Sequence, residues 1–210
     1  MTFIKNLNQK TIFCHKNIYK FFVILFLFVS QIHTAKAVKI LATINSAVIT
    51  DYDTEEFSKI LCLLENKNKP NKICNQQEMF SLSLMTLVEE NLKSEHIKRL
   101  ELPPDAISAN DFEKYKNQIV SGVKLTNIDK DMLEWYVKTE FIWQMIIGSQ
   151  LREIKILDEE IKNYANANNI KWNDKNKKMI ENILIQQKAM EISRSLMEKM
   201  KKFYLIDIRI

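Results

Sequence analysis

The chain has 210 residues, 46% of them apolar and 27% charged, which is enough apolar side chain for one globular core and argues against wholesale disorder. It holds only two glycines and three prolines, too few for a β-sandwich, a barrel or a glycine-rich phosphate loop, all of which depend on tight turns or close backbone approach. The net charge of +5 comes entirely from residues 1–37, whose five lysines meet no acidic residue. The other 26 basic residues are matched by 26 acidic ones. A neutral body offers no electrostatic footprint for a polyanion, so nucleic acid is not expected as a partner.

Residues 1–37 have the three parts of a secretory signal: a lysine-bearing start, the apolar run Phe21–Val29, and Ala35-Lys36-Ala37 as a cleavage site after Ala37. The apolar run is about half of what a spanning helix needs. An uncleaved anchor is the other reading of this segment, and the only membrane contact expected. Residues 38–210 are then one exported domain. Cys62 and Cys74 are its only cysteines, and they flank a polar segment around Pro70. In an oxidising compartment such a pair is either a disulfide or two free thiols, and the sequence leaves both open.

Along the chain, residues 39–45 and 48–50 are β-branched and apolar and predict a small hairpin. Thr50, with Asp53 three positions on, predicts a helix start and a helix over 51–65 carrying Phe57, Ile60 and Leu64. Asn75 with Glu78 predicts a second start, and Phe80, Leu84, Leu87, Val88 and Leu92 recur at helical period to about residue 100. Ser108 with Asp111 opens a shorter helix that Gly122 ends. Residues 128–151 form a long helix, 158–166 a short one, and Asn173 caps a last helix running to about 202. The tail alternates Ile206, Ile208 and Ile210 with polar residues, a strand that must seek the edge at Ile40–Ile44. The expected fold is mainly α: a helical bundle with a small sheet made by the N-terminal hairpin and the C-terminal strand.

The catalytic inventory is thin. His96 is the one histidine after residue 37, and its charged neighbours predict a solvated helix face. No nucleophile elbow or nucleotide loop is present. The adjacent pairs Glu89-Glu90 and Glu159-Glu160 read as solvating charge. The expectation is a non-enzyme with no cofactor and no metal site. The positive signal is eight methionines and three tryptophans spread over the body, side chains suited to varied apolar partners as well as to core filling. The helix over 128–151 is apolar on more than one face, so Met132, Trp135, Trp143 and Met145, with Trp172, are the candidates for a binding groove.

In order along the chain, residues 40–53 (a short strand, then Val48-Ile49-Thr50 and an acidic residue), Leu87–Leu92 with Ile97–Leu102, the helix start at Ser108, the link Ile154–Ile161, and the final helix with Tyr204–Ile210 resemble the layout of SurA-type periplasmic chaperones. In that family the last strand returns to the first. The parvulin isomerase domains that usually precede the last helix are missing, and Glu101 replaces the family's glycine near Leu102. The resemblance implies an isomerase-free, ATP-independent holdase in the periplasm. Its expected partners are unfolded exported polypeptides, outer-membrane protein precursors above all. The alternative is a non-catalytic helical subunit that binds one folded envelope partner.

Overall fold

A computed structural model describes residues 37–68, 74–103, 106–123 and 125–209. The chain divides after Val38, and every element described below belongs to residues 39–210. The leader expected over 1–37 lies, except for Ala37, outside the described residues, as do the turn at Pro70 and the tail residue Ile210.

The order of elements is β1 (Ile40–Ile44), β2 (Ala47–Thr50), α1 (Asp51–Glu65), α2 (Gln76–Arg99), α3 (Ala109–Val120), α4 (Lys130–Leu151), α5 (Asp158–Ala167), α6 (Asp174–Phe203) and β3 (Ile206–Ile208). The fold is mainly α with one small antiparallel sheet of order β2-β1-β3. β1 pairs with β2 through the two-residue turn Asn45-Ser46, where Asn45 takes a left-handed backbone that asparagine tolerates better than most residues. β3 pairs with the other edge of β1, Ile44 opposite Ile206 and Ala42 opposite Ile208. Asn45 fastens this junction twice. Its N–H donates to the Leu205 carbonyl (3.0 Å) and its side-chain oxygen accepts from the Leu205 N–H (3.2 Å).

Local chemistry sets the helix starts. Thr50 Oγ1 accepts from the Asp53 N–H (3.1 Å) while the Asp53 carboxylate accepts from the Thr50 N–H (2.8 Å), a reciprocal cap that turns β2 directly into α1. Ser108 caps α3 through the Asp111 N–H, and Asn173 caps α6 through the Asn176 N–H. Asn75 caps α2 through the Gln77 N–H rather than through the position of Glu78. The helix expected from residue 128 begins at Lys130, because the Asp129 carboxylate accepts from the N–H groups of Asp131 and Met132. α2 ends at Arg99, and Glu101 then holds a left-handed φ of 44°. Gly122, with φ 78°, turns the chain after α3.

α2 is the central helix, packed against α1, β1, β2, α4 and α6. The main core gathers Leu41, Ile44 and Ile49 from the sheet, Phe57 and Ile60 from α1, Leu84, Leu87 and Leu92 from α2, Val137 and Trp143 from α4, and Met197 and Met200 from α6. Phe57 is fully buried with the Tyr136 ring edge-on at 5.2 Å. Cys62 and Cys74 are joined as a disulfide, Cα to Cα 6.1 Å, which ties the end of α1 to the start of α2. A cross-link over so short a loop stabilises by roughly 3 kcal/mol through the unfolded chain's lost freedom. A second, smaller core of Ile161, Ala165 and Ile180 holds α5 to the first half of α6.

Candidate functional site

α6 is thirty residues long, and its two halves pack differently. The N-terminal half buries Ile180, with Leu184 beside it, against α5, and the C-terminal half buries Met197 and Met200 in the main core. Between these contacts a stretch of the helix surface is left uncovered. At about 100° per residue, Met179, Ile183, Met190 and Met197 fall within roughly 40° of one another, a stripe close to 27 Å long. Met179 is 43% exposed and Met190 64%, whereas Met197 is buried. The stripe ends in a cleft of about 430 Å³ between α2 and α6, lined by Glu89 and Lys93 on one side and by Met190, Ser193, Arg194 and Met197 among others on the opposite side. Lys201 meets Glu89 at its rim (3.6 Å). Leu82 and Met85 of α2 are also nearly half exposed.

Beneath Lys93 lies a buried polar cluster. Lys93 Nζ donates to Glu90 Oε1 at 2.6 Å and also to the Glu140 carboxylate of α4. The same ammonium stands 5.9 Å from the centre of the Trp143 ring. Trp143 Nε1 donates to Ser193 Oγ of α6 at 3.0 Å, so one indole links three helices. Glu90 is only 2% exposed, and its Oε2 has no hydrogen-bond partner. Burial pushes its carboxyl up to about 8, reinforced by the hydrogen bond and charge of Glu140 and opposed by Lys93. Burial pulls Lys93 down, but the charges of Glu90 and Glu140 outweigh it and leave the ammonium above its ordinary value. Tyr115 and Tyr136 are both raised, by burial first and then by the two carboxylates.

Two sequence expectations are corrected by this cluster. Glu90 is not solvating charge: α4 closes over it and supplies Glu140. His96 does not lie on an open face either. It is half-buried with its ring 6.3 Å from that of Trp143, and burial, then Arg99, lowers its pKa.

The five groove candidates do not form one surface. Trp143 is buried at 3% exposure with its N–H satisfied, so it builds the core and offers no binding face. Met132 and Trp135 are half-buried against the main core. Met145 is half-buried two residues beyond Trp143, which places it on a different side of α4. Trp172 is 45% exposed in the α5–α6 connection, with Lys162 Nζ 5.9 Å from its ring centre. Counted along α6, it stands roughly 30 Å from Ser193, the partner of Trp143. Met179 and Met190, two of the eight methionines counted in the sequence but not among the groove candidates, are exposed. Their eleven-residue spacing, three turns of helix, was the available signal.

A second cleft, of about 590 Å³, opens between α1 and α2 beside the disulfide and is lined by Ser58, Lys59, Met79 and Phe80 among others. Among the described residues no group of three or more His, Cys, Asp or Glu is placed to hold a metal, and no helix is long and apolar enough to cross a membrane. In comparisons with known proteins, no family model and no curated protein matches the chain.

Proposed function

We propose that the chain is an ATP-independent holdase of the SurA type that retains unfolded exported polypeptides in the periplasm, outer-membrane β-barrel precursors above all, and that it has no prolyl isomerase activity. The observation that carries this reading is the pair of exposed methionines Met179 and Met190, in line along α6, the second of them lining the cleft beside Lys93. Flexible thioethers adapt to irregular apolar partners, and the mixed charge of Glu89, Lys93, Arg194 and Lys201 tolerates polar residues between a client's apolar ones. Burying one such methionine fully is worth about 1.5–3 kcal/mol, which leaves only weak, reversible binding once chain ordering is subtracted. Weak binding suffices here, because a holdase shifts its client away from aggregation by mass action.

The resemblance adds support through the chain layout. The last strand pairs with the first, as in the family, and Glu101 holds a left-handed backbone where the family places glycine. Trp172, at the far end of α6, extends the apolar surface available to a long client.

Light scattering by an unfolded outer-membrane porin tests the proposal. At stoichiometric protein the wild type is expected to suppress aggregation, and Met179→Glu with Met190→Glu to lose most of that suppression while keeping its circular dichroism. Aggregation unchanged by several-fold excess of the wild type would remove the holdase. Capture of a single folded envelope partner in stoichiometric amount would favour the interaction-subunit reading instead.

A further inference from the structure

Client binding on α6 requires nothing of the two carboxyls beneath the cleft, yet they sit where α2 crosses α4. Fully ionised, Glu90, Lys93 and Glu140 carry one surplus negative charge in a site where Glu90 is 2% exposed. An unpaired charge so placed is costly, and a proton on the buried Glu90 carboxyl removes it. The groups that face the cluster come from four helices. Lys93 and Glu89 are on α2, Glu140 and the Tyr136 phenol on α4, Tyr115 on α3, and Arg194, Glu198 and Lys201 of α6 line the cleft above. α1 meets α2 through the neutral Ser58–Ser83 hydrogen bond of 2.9 Å, and the sheet adds Leu41, Ile44 and Ile49 to the shared apolar core.

We infer that Glu90, Lys93 and Glu140 form a proton-linked latch between α2 and α4, which holds one proton on Glu90 while the helices are packed and releases it to solvent when they part. Glu90 Oε2 is buried and receives no hydrogen bond from any donor, which makes it the atom on which that proton can reside. The latch stands apart from the holdase proposal, since its readout is folding and not client binding.

The sign follows from the raised carboxyl. From the ordinary value of 4.5 up to about 8, the packed state keeps a proton that the unfolded chain has lost. The folding constant therefore falls as pH rises through this window and levels off above it. His96, lowered in the packed state, acts in the opposite direction only below its ordinary 6.5. The informative range thus runs from about pH 6.5 to about pH 8.5, over which one proton makes roughly a twentyfold loss.

Urea unfolding of the full chain at constant ionic strength reads this directly. The wild type is expected to lose roughly twentyfold in folding constant across that range, and Glu90→Gln, the shape of the protonated acid, less than about threefold. Proton release on unfolding, followed with a pH indicator near pH 7.5, should be about three-quarters of a proton per wild-type chain. This second measurement decides the question if Glu90→Gln does not fold. A pH-independent wild type, a Glu90→Gln slope equal to the wild type's, or unfolding without proton release would overturn the latch.

Discussion

The two cores of this molecule share one helix and little else. Among the described residues, the main core gathers seventeen buried side chains, mostly from the sheet, α1, α2, α4 and the second half of α6, whereas α5 rests against α6 on Ile161, Ala165 and Ile180. Apolar burial scales with area, so the hairpin has far less to set against the entropy of ordering its chain. It adds two charge pairs, Lys177 with Asp158 at 2.8 Å and Lys188 with Glu160 at 2.9 Å, partly exposed contacts that contribute little. α6 is thus anchored in the main core at one end and forms the edge of a lightly held hairpin at the other. The exposed Met179 and Met190 lie on either side of that change.

Three changes test the contrast. Phe57→Ala removes a fully buried ring that touches Tyr136 and should cost about 4 kcal/mol of global stability, read by urea unfolding. A loss below about 1 kcal/mol would show that the main core does not depend on this contact. Ile180→Ala should cost about 3 kcal/mol, but only locally. Hydrogen exchange is expected to speed up in α5 and the first half of α6 while α2 and α4 keep wild-type protection. Equal loss in α2 would make the two cores one cooperative unit. The smallest effect is acidification. Asp158 is held below its usual range by the Lys177 hydrogen bond, and Glu160 by the Leu157 N–H and then Lys188. Their contribution is complete above the ordinary carboxylate values and fades as pH falls through the lowered ones. Exchange in α5 should therefore rise slightly on acidification, and less so at high salt; no salt dependence would assign the hairpin's stability to its apolar contacts alone.

Features written within a few residues were legible in the sequence. Thr50 with Asp53, Ser108 with Asp111, and Asn173 each announced a helix start, and a strand at the tail with no local partner pointed to β1. What was illegible depends on distant partners. Glu90 looks like any surface glutamate until Glu140, fifty residues on, comes to lie beside it, and Trp143 looks like groove lining until Ser193 takes its N–H. The same limit hid the stripe on α6. Which side of an apolar helix is left bare is set by its neighbours, and α5 takes one side of α6 while α2 and α4 take others.

The placement of β1 between β2 and β3 has a consequence for how the molecule is made. Ile44 must wait for Ile206 to complete the sheet, and Asn45 for Leu205, 160 positions later. A ribosome delivers every helix before it delivers that final partner, so the hairpin spends synthesis with one edge unzipped. Closure is thus a late event of high contact order, slow compared with helix formation.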